Sequence, residues 1–233
     1  MKTSNKSHNM DNVVDLFTGK LFSQLHETRF IRLAPELDGL EILYSNETSG
    51  DMLYSLQILA WGLRANGEVV ALVPWLNDIV PCIEICDPLN GKWEGYFDPG
   101  IDEVFYEAPI HKVVELETAA EYYDLHADDP DAILQEIPDT IGTHAVLSDN
   151  GFKSLTLTQV ISWQLHNDGT IVAMLADEEK VESTPILPGD DCLYPAQSSE
   201  SFRYFFQHQI ANKIKSQDPE AMAAISLLVD EQR

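Results

Sequence analysis

Between residues 155 and 166 the chain alternates: Leu155, Leu157, Ile161, Trp163 and Leu165 are apolar, and Thr156, Thr158, Ser162, Gln164 and His166 are polar. Period two marks a strand with one dry face and one wet face. Asn167-Asp168-Gly169 then supplies a tight turn with positive φ at the glycine, and 170–175 runs back as the second strand of a hairpin.

The same pattern occurs earlier. Aligned without gaps at an offset of 102, residues 53–73 and 155–175 are identical at seven of 21 positions, including Gln57/Gln159, Trp61/Trp163, Gly67/Gly169 and Ala71/Ala173. Ordinary composition would give roughly one or two identities. The alternate face of the first copy carries Tyr54, Leu56, Ile58 and Ala60. The first hairpin is therefore expected to be central and buried on both faces, with the second keeping one face for water or a partner. Trp61 and Trp163 are expected to be core anchors. Gln57 and Gln159 share their odd-numbered face and are expected to be buried amides bonded to neighbouring backbone.

Elsewhere the pattern predicts helices. A short one over 18–30 would bury Leu21, Phe22, Leu25 and Phe30. Residues 40–44 read as a strand, 83–86 and 93–97 as strands around an Asn90-Gly91 turn, and 104–116 as extended on either side of Pro109. Thr118 and Glu121 fit a capping box for a helix reaching His126, and Asp129-Pro130-Asp131 opens another. Phe202, Phe205, Phe206, Ile210 and Ile214 form a helical stripe over 199–215, and Asp218-Pro219-Glu220 caps a final helix to Glu231. The sum is an α+β fold: two β-hairpin halves, internally duplicated, each followed by helices, with a helical C-terminal segment. The division is a flexible tail over 1–19, a first half over 20–135, a linker over 136–142 and a second half over 143–233, the two halves also being compatible with one compact domain.

Composition narrows the function classes. A chain of 233 residues that is 44% hydrophobic can bury a large core and is not disordered throughout. No apolar run reaches membrane-spanning length, and the N-terminal residues lack the apolar core of a signal peptide. Three cysteines do not make a disulfide framework; Cys82 and Cys86 lie too far apart to bridge along one strand and read as small buried hydrophobes. A reducing cytoplasm is the expected compartment.

Charge changes the picture most. Asp plus Glu number 39 against 14 Lys plus Arg, a net of −25. Residues 113–152 contain ten acids and neither Lys nor Arg. Direct binding to nucleic-acid phosphates or to an anionic membrane requires the opposite sign. No GxGxxG, GxxxxGK, GxSxG or HExxH is present, and the seven histidines are scattered. The dense polar knot of Asp124, His126, Asp128 and Asp129 reads as an interhelical turn with its caps. Glu84 and Glu94, embedded between apolar neighbours, are expected at the surface.

These observations point to a non-enzymatic protein that binds or inhibits a basic protein partner through a negative surface, with mimicry of nucleic acid as its specific form and no cofactor or metal. The candidate contact residues are Glu115, Glu121, Asp124, Asp128, Asp129 and Asp131. A second candidate is the tail: Val13-Val14-Asp15-Leu16-Phe17 resembles the hydrophobic-acid-Leu-Phe core of peptides that bind the bacterial sliding clamp, with Val13 where Gln is usual. There Val14, Leu16 and Phe17 would be the contacts. The rival classes are a metal-assisted enzyme with a carboxylate-based site and a structural subunit of a larger assembly.

Overall fold

The computed structural model describes residues 27–45, 53–87, 91–121, 129, 132–148, 154–177, 180 and 185–206. The α+β expectation is wrong. These residues form fifteen strands in three sheets and a single α-helix. Four strands, β1 (Phe30–Pro35), β4 (Ala60–Arg64), β5 (Val69–Trp75) and β6 (Asp78–Pro81), make one sheet in that order. A second sheet runs β3 (Leu53–Gln57), β2 (Glu41–Ser45), β8 (Gly91–Asp98) and β7 (Cys86–Asp87), with β9 (Glu103–Phe105) also on β8. The third runs β14 (Leu193–Pro195), β13 (Ile171–Ala176), β12 (Thr156–His166), β11 (His144–Leu147) and β15 (Phe202–Phe206), with β10 (Ile133–Pro138) also on β12. The helix, α1, spans Ile110–Glu121.

The helices expected after each hairpin fail for identifiable reasons. Phe202, Phe205 and Phe206 are spaced for a helix, but 202–206 is the strand β15. That spacing is helical, and pairing with β11 across a register shift overrides it. Residues 133–138, which would follow the Asp129-Pro130-Asp131 opening, are the strand β10; Glu136, placed at the start of a linker, lies within it. Thr118 and Glu121 end a helix that begins at Ile110, inside the segment read as extended. Pro109 opens that helix, its carbonyl accepting from Lys112 and Val113 N–H. Of the helix expected over 18–30, Glu27 and Thr28 are helical but Phe30 already begins β1; its remaining residues and the helices expected after 206 lie outside the described residues.

The two hairpins sit in the same surroundings. Trp61 pairs with Ala71 and Trp163 with Ala173; Gly62 with Val70 and Gln164 with Val172. β1 pairs with β4 through Ala34↔Trp61, and β10 with β12 through Ile137↔Trp163. Each pairing is interrupted one residue after the start of its first strand, between Phe30 and Arg32 and between Ile133 and Gln135. Glu41↔Gln57 in β2–β3 corresponds to His144↔Gln159 in β11–β12. Each fourth strand ends in a proline, Pro81 or Pro195, followed by a 3-10 turn opened by a fully buried small residue, Cys82 or Ala196. The chain then returns as β8 beside β2, or β15 beside β11. Each return strand lays an aromatic ring on the hairpin tryptophan: Tyr96 at 4.9 Å from Trp61, and Phe205 at 5.2 Å from Trp163. Among the described residues, the order and direction of these neighbours therefore agree between 30–97, here module 1, and 133–206, module 2; β7, beside β8, has no described counterpart.

The modules pack head to tail. Trp61, Leu63, Ala71 and Val73 face a core closed by Ile42, Tyr96 and, from α1, Leu116. The opposite side of the same sheet, carrying Leu33, Ala60, Val70 and Leu72, packs on Trp163, Leu165, Ala173 and Leu175 of module 2. The first hairpin is thus buried on both faces, and β4 has no exposed residue. β1 lies against β10 and β12, while α1 lies against their counterparts β1 and β4. The helix covers on module 1 the place that module 1 covers on module 2.

Candidate functional site

The loops following β1 and β10 are built alike. Pro35-Glu36-Leu37-Asp38-Gly39 corresponds to Pro138-Asp139-Thr140-Ile141-Gly142, with the glycines at φ 78° and 69°. Proline ends each strand because it has no N–H for the ladder, and glycine takes the left-handed conformation that reverses the chain. The acid between them turns inward. Glu36 accepts the Trp61 indole N–H at 2.6 Å and the backbone N–H groups of Asp38 and Leu40 at 2.5 and 3.3 Å. Asp139 accepts the Trp163 indole N–H at 2.9 Å and the Thr143 N–H at 2.8 Å. A buried indole needs an acceptor and a desolvated carboxylate needs donors, so each satisfies the other. Burial pushes the Asp139 carboxyl above the usual range, against the hydrogen bonds from Trp163 and Thr143.

The two loops meet along an open groove of about 240 Å³ lined by Glu36, Leu37, Gly39, Gln57, Thr140 and Ile141. Of the two acids that line it, Glu36 and Glu41, the Glu36 carboxylate is already engaged in holding its loop. The geometry is that of a latch rather than an acid–base pair. Among the described residues no group of three or more His, Cys, Asp or Glu could hold a metal.

Gln57 is half-buried and lines this groove, and Gln159 is exposed, so neither is the buried amide expected. For Gln159 the cause is a register shift between Val160 and Ser162, which puts the dry face on even numbering at Val160 and on odd numbering at Trp163 and Leu165. Val160 is fully buried with Trp163, whereas Ile161 is partly exposed. Cys82 does behave as a small buried hydrophobe, its thiol pushed up to about 12 by burial. Glu84 is exposed and paired with Arg64. Glu94 accepts the Ser45 hydroxyl at 2.6 Å, which holds its carboxyl below the usual range with help from Lys92.

The distribution of charge is the other marked feature. The described residues contain seven Lys and Arg side chains, and each is engaged within the molecule. Arg29 bonds the Asn167 carbonyl, Arg32 the Ala119 carbonyl, and Arg203 the Glu200 and Phe202 carbonyls. Arg64 pairs with Glu68 and Glu84, Lys92 with Glu94, Lys112 with Asp38, and Lys180 with Asp177. The acids face outward. Asp102, Glu103, Glu107, Glu115 and Glu117 are all exposed along β9, its flanks and α1.

Of the residues singled out from sequence, Glu115 lies on the exposed side of α1 and Asp129 is exposed, its carbonyl accepting from the Asn167 side chain at 3.0 Å. Glu121 is the last residue of α1. Asp124, Asp128 and Asp131, and the tail residues Val14, Leu16 and Phe17, lie outside the described residues. Sequence reading missed Glu36 and Asp139. The signal was present as Pro-acid-x-x-Gly in both halves, displaced by one residue from the offset of the hairpins. No family model, curated protein or solved structure matches the chain. Among the described residues no helix is long and apolar enough to cross a membrane.

Proposed function

We propose that this chain is one β-module written twice, forming a rigid non-enzymatic frame whose negative outer surface receives a basic protein partner. The observation that carries this reading is the imbalance of charge: every described Lys and Arg is engaged by a carbonyl or an acid of the same chain, the exposed Lys92 and Lys180 in surface ion pairs, while the acids from Asp102 to Glu117 face solvent. A surface of one sign raises the local concentration of opposite charge and steers encounter with it. The same field repels phosphate polymers and anionic membranes, so neither is proposed as a direct partner. Apolar side chains interleaved with these acids favour a protein partner over display of charge alone, as in nucleic-acid mimicry. A reducing cytoplasm is the proposed compartment, on the odd cysteine count.

The test compares two charge-removal variants of equal size. One carries Glu103→Gln, Glu107→Gln, Glu115→Gln and Glu117→Gln; the other carries Glu27→Gln, Asp168→Asn, Asp191→Asn and Glu200→Gln at exposed acids elsewhere. Binding of polylysine of defined length is measured between roughly 0.1 and 0.5 M salt, where screening becomes severe. The first variant should bind several-fold more weakly with a shallower salt dependence, and the second should stay near the parent. Equal losses in both would reduce the charge to general solubility.

A further inference from the structure

The described surface exposes several large apolar side chains, and five of them fall within fourteen residues: Ile101 at 63%, Val104 at 45%, Tyr106 at 70%, Ile110 at 75% and Val114 at 54%. Scattered exposed hydrophobes are ordinary, but five so close along the chain and interleaved with acids mark a candidate contact surface. Val104 and Tyr106 both lie over Gly95, where an added Cβ would come within 2.7 Å of Val104 and 3.4 Å of Tyr106. Tyr106 also stands edge-on to Trp93, with ring centroids 6.3 Å apart. Ile110 and Val114 are one turn apart on the outer side of α1, opposite the buried Lys112 and Leu116. The acids Asp102, Glu103, Glu107, Glu115 and Glu117 are interleaved with this row.

The helix itself is charged against its dipole. His111 and Lys112 sit in the first turn, where both are paired with Asp38, and the last turn holds Glu121 and no base. Acids are repelled by the partial negative charge of a helix C-terminus, and a cation is attracted there. Glu121 there leaves the helix end free to favour a cation from outside.

We propose that this row, from Ile101 to Val114, is the docking site for a basic amphipathic segment of a protein partner. Apolar side chains of that segment would cover Tyr106, Ile110 and Val114, and its Lys or Arg side chains would reach the flanking acids. The proposal rests on the charge reading above and adds to it an apolar contact at a stated place.

Two probe peptides of equal length and charge separate the two ideas: one of Lys and Leu, patterned as an amphipathic helix, and one of Lys and Ser. Each is titrated onto the full chain and onto an Ile110→Gln/Val114→Gln variant, whose helix content is checked by circular dichroism. A Val104→Thr variant provides a second probe outside the helix. The expected result is salt-sensitive binding of the Lys/Leu peptide at least tenfold tighter than the Lys/Ser peptide, with most of that margin lost in both variants. Equal binding of the two peptides, unchanged by the variants, would overturn the docking site and leave the charge reading standing. Failure of both peptides to bind would overturn both. Concentration-dependent dimers in light scattering, lost in the Ile110→Gln/Val114→Gln variant, would assign the row to a second copy of this chain and overturn the basic occupant.

Discussion

Modules 1 and 2 share strand order, pairing register and the tryptophan–carboxylate latch, yet treat the back of the hairpin sheet oppositely. In module 1 the back carries Leu33, Ala60 and Gly62; at the matching positions module 2 has Glu136, Ser162 and Gln164. Phe30 is 9% exposed, while its counterpart Ile133 is 55% exposed. The first back is apolar because another module docks on it. Among the described residues no further module meets the second back. Its Glu136 accepts from the Ser162 hydroxyl, from Gln164 at 3.2 Å and from the Gly189 N–H at 3.1 Å. Gly189 belongs to a connection of sixteen residues between β13 and β14, where module 1 turns between β5 and β6 in two. That longer connection reaches back to close the polar end. At the other end α1 closes module 1. Stacked units need terminal surfaces unlike their internal ones, and the two modules differ where one is internal and the other terminal.

The sharpest way to break this comparison is to remove its shared element. Trp61 and Trp163 are both fully buried. Truncating either to Ala should cost about 3–5 kcal/mol, read by chemical denaturation, because a large cavity and an unpartnered carboxylate are left together. A loss at one position and not at the other would mean that the latch is structural in only one module.

A smaller effect distinguishes the turns. Gly67 and Gly169 have φ of 88° and 90°, so alanine is strained at either. A Cβ on Gly67 meets nothing within 4 Å, whereas one on Gly169 comes within 2.8 Å of Arg29 and 3.0 Å of the Phe30 backbone nitrogen. Gly169→Ala should therefore exceed Gly67→Ala by about 1–3 kcal/mol, the usual range for forced overpacking. Equal costs would place the tip of the second hairpin away from module 1.

The smallest effect is in pH dependence. Burial raises the Asp139 carboxyl, so the folded state holds that proton more tightly than the unfolded chain. Its contribution is most favourable at low pH and is lost as pH rises from the unfolded value of 3.8 through the raised folded value. Asp139→Asn should remove this part of the slope of stability against pH, and a parent and variant with parallel profiles would contradict it.

How much of this was legible in the sequence depended on whether one period held across an element. The hairpins were legible because alternation and the Asn-Asp-Gly turn agree, and the offset of 102 brought them together. The face of Gln159 was not, because a single shifted register inside β12 reverses the alternation without any marker residue. β15 departs from the helix expected there because phenylalanines at i, i+3 and i+4 have helical spacing, and only pairing with β11, with its register shift, overrides it. The latch was hidden by a one-residue change of offset between Pro35/Pro138 and the hairpins. The closing roles of α1 and of the connection around Gly189 are tertiary facts with no local signature.

The central claim is that both modules are built on the same tryptophan–carboxylate latch, and the indole region of a ¹⁵N-correlated NMR spectrum tests it most directly. The chain has four tryptophans. Trp61 and Trp163 donate to the Glu36 and Asp139 carboxylates, while the Trp93 indole nitrogen, though buried, has no hydrogen-bond partner among the described residues. Two indole N–H resonances should therefore exchange with deuterium far more slowly than that of Trp93. Glu36→Gln should move only the Trp61 resonance, and Asp139→Asn only that of Trp163. Four indoles exchanging at one rate, or either substitution leaving both resonances in place, would contradict the account.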